Sequence, residues 1–178
     1  MSIQSPALPA IETLINLSAS EFTQCLALLF EAAPPLAQAL YASRPFNSYT
    51  QLLDKSESIF NSLSPTDKIT VINAHPRIGE PKGNLSALSY KEQGYAVGNQ
   101  EEDPEVMARL RKLNREYEEK FGFRFVVFVN GRSKKEIVPV LESRLYEGTR
   151  DGELETGLRN MIAIARDRLR KLSSAGCT

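Results

Sequence analysis

The chain has a single histidine in 178 residues, only two cysteines and no net charge, since 22 lysines and arginines stand against 22 aspartates and glutamates. Each shortage removes a class of function. One histidine and two widely separated cysteines, Cys25 and Cys177, provide no spacing for a histidine- or thiolate-rich metal site, so no metal is expected. Balanced charge gives no bulk attraction to nucleic acid or to an anionic membrane. No apolar run is long enough to cross a bilayer. The segment Met1–Ala10 lacks the basic and apolar regions of a signal peptide. Scarce cysteine fits a reducing, intracellular compartment, and Cys25, among apolar neighbours, reads as a small core residue. The final residues, Ala175-Gly176-Cys177-Thr178, are not a peroxisomal tripeptide of the Ser-Lys-Leu kind.

What is present is ordinary for a globular domain with a real core: 42% apolar and 25% charged residues. Helical periodicity dominates. Leu14, Leu17, Phe22, Leu26, Leu29 and Phe30 line one face, and Ser18 with Glu21 reads as a capping box. Pro34-Pro35 interrupts, and Leu36, Ala39 and Leu40 continue briefly. Tyr49, Leu52, Leu53, Ile59 and Phe60 predict another helix. Ser64-Pro65 is an N-cap followed by proline at the first helical position, opening a helix that runs to His75. From Pro76 to about Ser89, Gly79, Pro81, Gly83 and Asn84 mark an irregular connection. Asp103-Pro104 reopens a helix on Val106, Leu110, Leu113 and Tyr117. Ser133 with Glu136 is a second capping box, ahead of Ile137, Leu141 and Leu145, with Pro139 expected to kink that helix. Leu154, Leu158, Met161, Ile162, Ala165 and Leu169 form the last amphipathic stripe.

One segment, Phe121 to Val129, is locally strand-like, and Asn130-Gly131 follows it as a turn. A lone strand has no partner, and unpaired buried backbone is costly. The expectation is therefore an all-α, single-domain bundle of about seven helices over residues 11–172, with one buried extended segment. Residues 1–10 and 173–178 are expected to be loosely ordered ends.

Chemistry centres on His75, the side chain best suited to proton transfer near neutral pH. Pro76 disfavours helical backbone at His75 and so places it at a helix end, beside a loop where functional groups collect. Ser89-x-x-Glu92 reads as a capping box, with Ser89 at the cap and Glu92 and Gln93 on the first turn facing a pocket. Arg166, Arg168 and Arg170 alternate near the end of the last helix. Of these, Arg168 approaches the apolar stripe, where a guanidinium could grip a carboxylate. Gly79-Glu-Pro-Lys-Gly83 lacks the spacing and closing Lys-Ser/Thr of a P-loop.

At these residues the chain resembles the 2-oxo-4-hydroxy-4-carboxy-5-ureidoimidazoline (OHCU) decarboxylases, which complete the conversion of urate to S-allantoin. The matching pieces are Ala74-His75-Pro76, Ser89-x-x-Glu92-Gln93, Lys120-Phe121-Gly122-Phe123-x-Phe125, Gly131-Arg132-Ser133, Glu142-x-Arg144-Leu145, Glu153-Leu154 and Ile164-Ala165-Arg166-x-Arg168-Leu169. The resemblance implies an all-α fold, a homodimer, no metal or organic cofactor, and OHCU as small-molecule substrate. It implies a cytoplasmic or peroxisomal enzyme. It makes His75 the proton donor and Glu92 its acidic partner. Pro76, Ser89, Gln93 and the backbone of Phe125, Val127 and Val129 become substrate-binding positions, and Arg168 meets the substrate's charge. Loss of carbon dioxide leaves an enolate-like species, whose oxygen backbone N–H groups near Val127 to Val129 would stabilise. The chain departs from the pattern at Arg77-Ile78, where many members have Asp-Leu, at Arg124, where proline is usual, at Asn130, where a basic residue is frequent, and in a shorter loop after His75.

Two rival readings come from other classes. A histidine phosphotransfer module also carries one working histidine in a helical bundle, but it needs that histidine exposed in mid-helix, which Pro76 opposes. A family member without catalysis, acting as a binding or scaffold protein, is the alternative that the departures at Arg77 and Arg124 suggest.

Overall fold

The computed structural model describes residues 7–31, 33–79, 87–93 and 103–174. The expectations for residues 1–6, 80–86 and 175–178 lie outside them. The described residues contain no strand and nine helices: α1 (Ile11–Leu14), α2 (Ala19–Phe30), α3 (Pro34–Ala42), α4 (Tyr49–Ser62), α5 (Pro65–Ala74), α6 (Ala87–Glu92), α7 (Pro104–Phe121), α8 (Lys134–Glu147) and α9 (Arg150–Ser174). The fold is all-α as expected.

Nine replaces about seven for two local reasons. Ser18 accepts from the Glu21 N–H while the Glu21 carboxylate accepts from the Ser18 N–H, so the capping box opens a new helix and leaves Leu14 in a separate turn. The second is α6, which starts at Ala87. There Ser89 is not a cap: it lies inside the helix, its carbonyl accepting the Gln93 N–H at 3.0 Å. Elsewhere the local signals act as read. Ser64 Oγ accepts the Asp67 N–H at 3.2 Å ahead of Pro65, α3 begins on proline, and Ser133 and Glu136 form the second box. Pro139 sits inside α8, which continues past it. Cys25 is half-buried rather than a core residue.

The chain divides into two compact units, one of residues 1–74 with 162–178 and one of residues 75–161. In the first, α3 packs against α2, α4 and α5. Its buried side chains include Phe22, Leu26, Phe30, Leu40, Leu52, Phe60 and Val71. Phe22 meets Tyr41 edge-on, and Phe30 meets Phe60 in the same way. Near its start, the Tyr49 hydroxyl donates to the Pro9 carbonyl at 2.7 Å.

In the second unit α7 packs against α8. Its centre is Tyr117, fully buried, with Phe121, Phe123 and Phe125 edge-on around it at 4.6, 6.1 and 5.3 Å. The stretch from Arg124 to Val129 has no regular structure, yet Phe125 and Val126 are buried; the segment expected from Phe121 starts later, because Phe121 ends α7 and Gly122 caps it in left-handed backbone at φ 84°. The segment ends in a turn with Asn130 at φ 49° and Gly131 at φ 75°. Two successive left-handed residues explain the Asn-Gly pair there.

Candidate functional site

Helix α5 ends at Ala74, and His75 follows it on non-helical backbone, half-buried, as Pro76 requires. The turn from His75 to Gly79 makes no use of regular structure, so its backbone groups need partners from elsewhere. Side chains from three different elements supply them. Arg124 Nη1 donates to the His75 carbonyl at 3.0 Å. Gln93 Nε2 donates to the Arg77 carbonyl at 3.0 Å, and Gln93 Oε1 accepts the Gly79 N–H at 2.9 Å. Asn114 Nδ2 donates to the Ile78 carbonyl at 3.0 Å. Gly79 closes the turn at φ 76°, a conformation that glycine adopts without steric cost.

Gln93 is thus a clamp. It directly follows Glu92, so the bonds that hold Gly79 and Arg77 also tie the end of α6 to the histidine turn. Lys134, at the start of α8, donates to the Gln93 carbonyl at 3.0 Å and fixes the same point from a further element. Ser89 is 2% exposed and Gln93 9%; Glu92 is half-buried. The turn is braced again by Arg77, whose Nε and Nη2 donate side-on to the two oxygens of Glu118 at 2.6 and 2.8 Å. Two of the departures from the family pattern, Arg77 and Arg124, therefore both act on this turn.

The extended segment is anchored in a comparable way. Arg144 Nη1 donates to the Val126 carbonyl at 2.8 Å, Asn160 Oδ1 accepts the Phe128 N–H at 2.8 Å, and Arg132 Nη2 donates to the Phe128 carbonyl at 2.6 Å. Behind them lies a buried polar network. Arg144 Nε donates to Glu153 at 2.7 Å, and the Tyr117 hydroxyl donates to the same carboxylate oxygen at 2.5 Å. Burial, and then the bond to Glu153, hold the Tyr117 hydroxyl in its protonated form well above the usual phenol range. The Phe125 ring lies under the Arg144 guanidinium at 4.6 Å and is itself 1% exposed. Phe125 thus belongs to the core and offers no exposed group to a ligand.

His75, Pro76, Ser89, Glu92, Gln93, Phe125, Val127 and Val129 fall in one compact unit, 75–161, whereas Arg168 belongs to the other. Arg168 is 1% exposed, donates to Glu31 at 3.0 Å and lies 3.5 Å from the Leu29 carbonyl.

Arg77, Asn114, Arg124, Arg132, Arg144 and Asn160 have structural roles here that sequence reading does not assign. Asn114 had a visible signal, a polar residue on the apolar stripe between Leu110 and Tyr117. Its Oδ1 is buried with no partner among the described residues. Asn160 lies between Leu158 and Met161, an asparagine in a helix interior that disfavours it. The arginines stand out only through the resemblance, Arg132 and Arg144 in its matching pieces and Arg77 and Arg124 as departures from it, and nothing local says what they bond.

The chain is similar to known proteins along most of its length. The chain is 31% identical over 166 residues to the uric acid degradation bifunctional protein of Bacillus sp. (strain TB-90), covering 93% of this chain but only 32% of that protein. The chain thus spans about a third of the length of the bifunctional relative. It is 27% identical to the 2-oxo-4-hydroxy-4-carboxy-5-ureidoimidazoline decarboxylase of Halalkalicoccus jeotgali, covering 92% of this chain and 91% of that one. A crystal structure of an OHCU decarboxylase in the presence of (S)-allantoin shares the fold, with a TM-score of 0.67 at 24% identity over 85% of this chain and 98% of that chain. The family model described as OHCU decarboxylase matches residues 16–170, and the chain belongs to that family.

Proposed function

We propose that the protein is a carboxy-lyase that converts 2-oxo-4-hydroxy-4-carboxy-5-ureidoimidazoline to S-allantoin and carbon dioxide in urate degradation. One observation carries the reading beyond family membership: the only histidine sits on a turn clamped by Gln93 to the segment that carries Glu92. The backbone that carries His75 and the backbone that carries Glu92 are thereby tied together, which supports a reading as positioned acid–base chemistry.

In the reaction the bond from C4 to the carboxylate breaks and carbon dioxide leaves without charge. The electron pair stays in the ring as an enolate-like species, and a proton is taken up to complete allantoin. His75 delivers that proton, and delivery to one face gives one enantiomer. Glu92 orients the substrate's hydroxyl or ureido N–H groups and polarises His75. The Val127 and Val129 N–H groups stabilise the developing oxyanion. The enzyme works as a homodimer, a statement that rests on the family resemblance.

The test generates the unstable substrate from urate in situ with urate oxidase and hydroxyisourate hydrolase, and follows decay and optical activity by circular dichroism. The expected result is fast decay to optically pure S-allantoin. His75→Asn should fold normally and lose about 100- to 10,000-fold in kcat, the usual size of acid–base catalysis. Decay at the spontaneous rate to racemic product, from folded wild-type protein, would leave the scaffold to another substrate or to binding.

A further inference from the structure

A peptide unit is planar and trans, so a carbonyl and the N–H that follows it point in opposite directions. The Val126 carbonyl shares its peptide with the Val127 N–H, and the Phe128 carbonyl shares its own with the Val129 N–H. A guanidinium stands on each of those carbonyls, Arg144 at 2.8 Å and Arg132 at 2.6 Å. Where the backbone is extended, the carbonyls of 126 and 128 lie on one edge and the N–H groups of 127 and 129 on the other; the chain turns at Val129, whose carbonyl accepts from the Arg132 backbone N–H at 3.1 Å. The third anchor obeys the same rule, since Asn160 takes the Phe128 N–H on the guanidinium edge. On the opposite edge, the Val127 and Val129 N–H groups have no partner among the described residues.

We propose that Arg144 and Arg132 are positioning residues that aim and polarise the Val127 and Val129 N–H groups, making them a two-donor site for the oxyanion that develops during decarboxylation. The inference rests on the decarboxylase reading and deepens it. A cation on a carbonyl oxygen draws electron density through the amide and leaves the N–H of that peptide more positive. Chains of hydrogen bonds strengthen one another in this way by roughly 10–30% per bond. The two guanidinium groups are themselves fixed. Arg144 is held by Glu153, with side chains 14% and 7% exposed, and by the Phe125 ring. Arg132 spans two successive carbonyls, its Nε donating to Val129 at 3.0 Å. Because the oxyanion exists only as the carboxylate leaves, the benefit belongs to the transition state and should appear in kcat rather than in KM.

The test uses Arg132→Met, Arg132→Lys and Arg144→Lys with the substrate generated in situ, and amide NMR shifts of the full chain. Arg132 is exposed, so Arg132→Met keeps the fold. Losing a whole oxyanion donor costs about 100- to 1,000-fold. Losing the group behind one should lower kcat about tenfold, with KM changed less than about twofold. Arg132→Lys should restore part of the loss. The Val129 amide nitrogen should shift in Arg132→Met, and the Val127 amide nitrogen in Arg144→Lys. Full kcat in folded Arg132→Met and Arg144→Lys, or a raised KM with kcat retained, would overturn the inference while wild-type turnover upheld the decarboxylase reading. An inactive wild type would overturn that reading, and the inference with it.

Discussion

Arg168 carries a charge into a place where charge is costly. Its guanidinium is 1% exposed, and its partner Glu31 follows the last residue of α2, in left-handed backbone at φ 53°. A cation at the C-terminus of a helix also meets the free carbonyls there, and the Leu29 carbonyl lies 3.5 Å away. The residue thus has structural work within its own unit, whatever it offers a substrate. Arg168→Met should remove the buried partner of Glu31 and cost about 3 kcal/mol, the low end for breaking a buried pair, because the Glu31 side chain is 16% exposed and keeps some hydration. Urea unfolding measures this. Adding Glu31→Gln to Arg168→Met should recover part of the loss, and an unchanged midpoint in the single variant would overturn this structural role. Gln93 makes the same point in a neutral residue, since its carboxamide clamps Gly79 and Arg77 from a position expected to bind substrate.

Among the elements, the stretch from Arg124 to Val129 is the least regular and the most dependent on distant side chains. Its anchors lie 18 positions away at Arg144 and 32 away at Asn160. Asn160→Leu should leave the Phe128 N–H without its acceptor and cost about 1–3 kcal/mol in chemical denaturation, with the slope of the transition unchanged. Loss of less than about 0.5 kcal/mol would mean that solvent replaces Asn160 there. Helices and their starts were legible because they are written locally: apolar spacing, Ser18 with Glu21, Ser133 with Glu136, Pro65 after Ser64. The extended segment was legible by elimination, as a strand pattern with no partner. Its anchors were not, because nothing near Arg144 or Asn160 in sequence says which carbonyl or amide they will reach. Ser89 shows the limit of a local motif. Ser-x-x-Glu reads the same whether serine caps a helix or lies inside one, and α6 begins two residues earlier. At the site, His75 at a helix end followed from Pro76, whereas the four-sided clamp on its turn, by Arg124, Gln93, Asn114 and Arg77, did not.

For the molecule as a whole, a chain with one histidine has little to titrate near neutrality, and two of its tyrosines add to the pH dependence of stability at alkaline pH. Each unit holds one whose ionisation the fold opposes: Tyr49 in the first and Tyr117 in the second. Burial is the main cause in both, with the bond to Glu153 added for Tyr117, and both are raised from an ordinary value of 10.0. The sign follows from proton counting. Above pH 10 the unfolded chain releases these phenolic protons while the folded chain keeps them, so the unfolded state gains and stability falls as pH rises. Below that pH the contribution is present in full. For the fully buried Tyr117 the slope approaches about 1.4 kcal/mol per pH unit, the linkage for one proton; Tyr49 is half-exposed and adds less. Lysines titrate in the same range, so the measurement is a difference: unfolding free energy from pH 8 to 11 for wild type and for Tyr117→Phe. The variant should begin less stable, having lost a buried bond to Glu153, and should lose stability less steeply above pH 10. Parallel curves would mean that the Tyr117 hydroxyl ionises as freely in the folded chain as outside it, and that the network behind the extended segment opens at high pH.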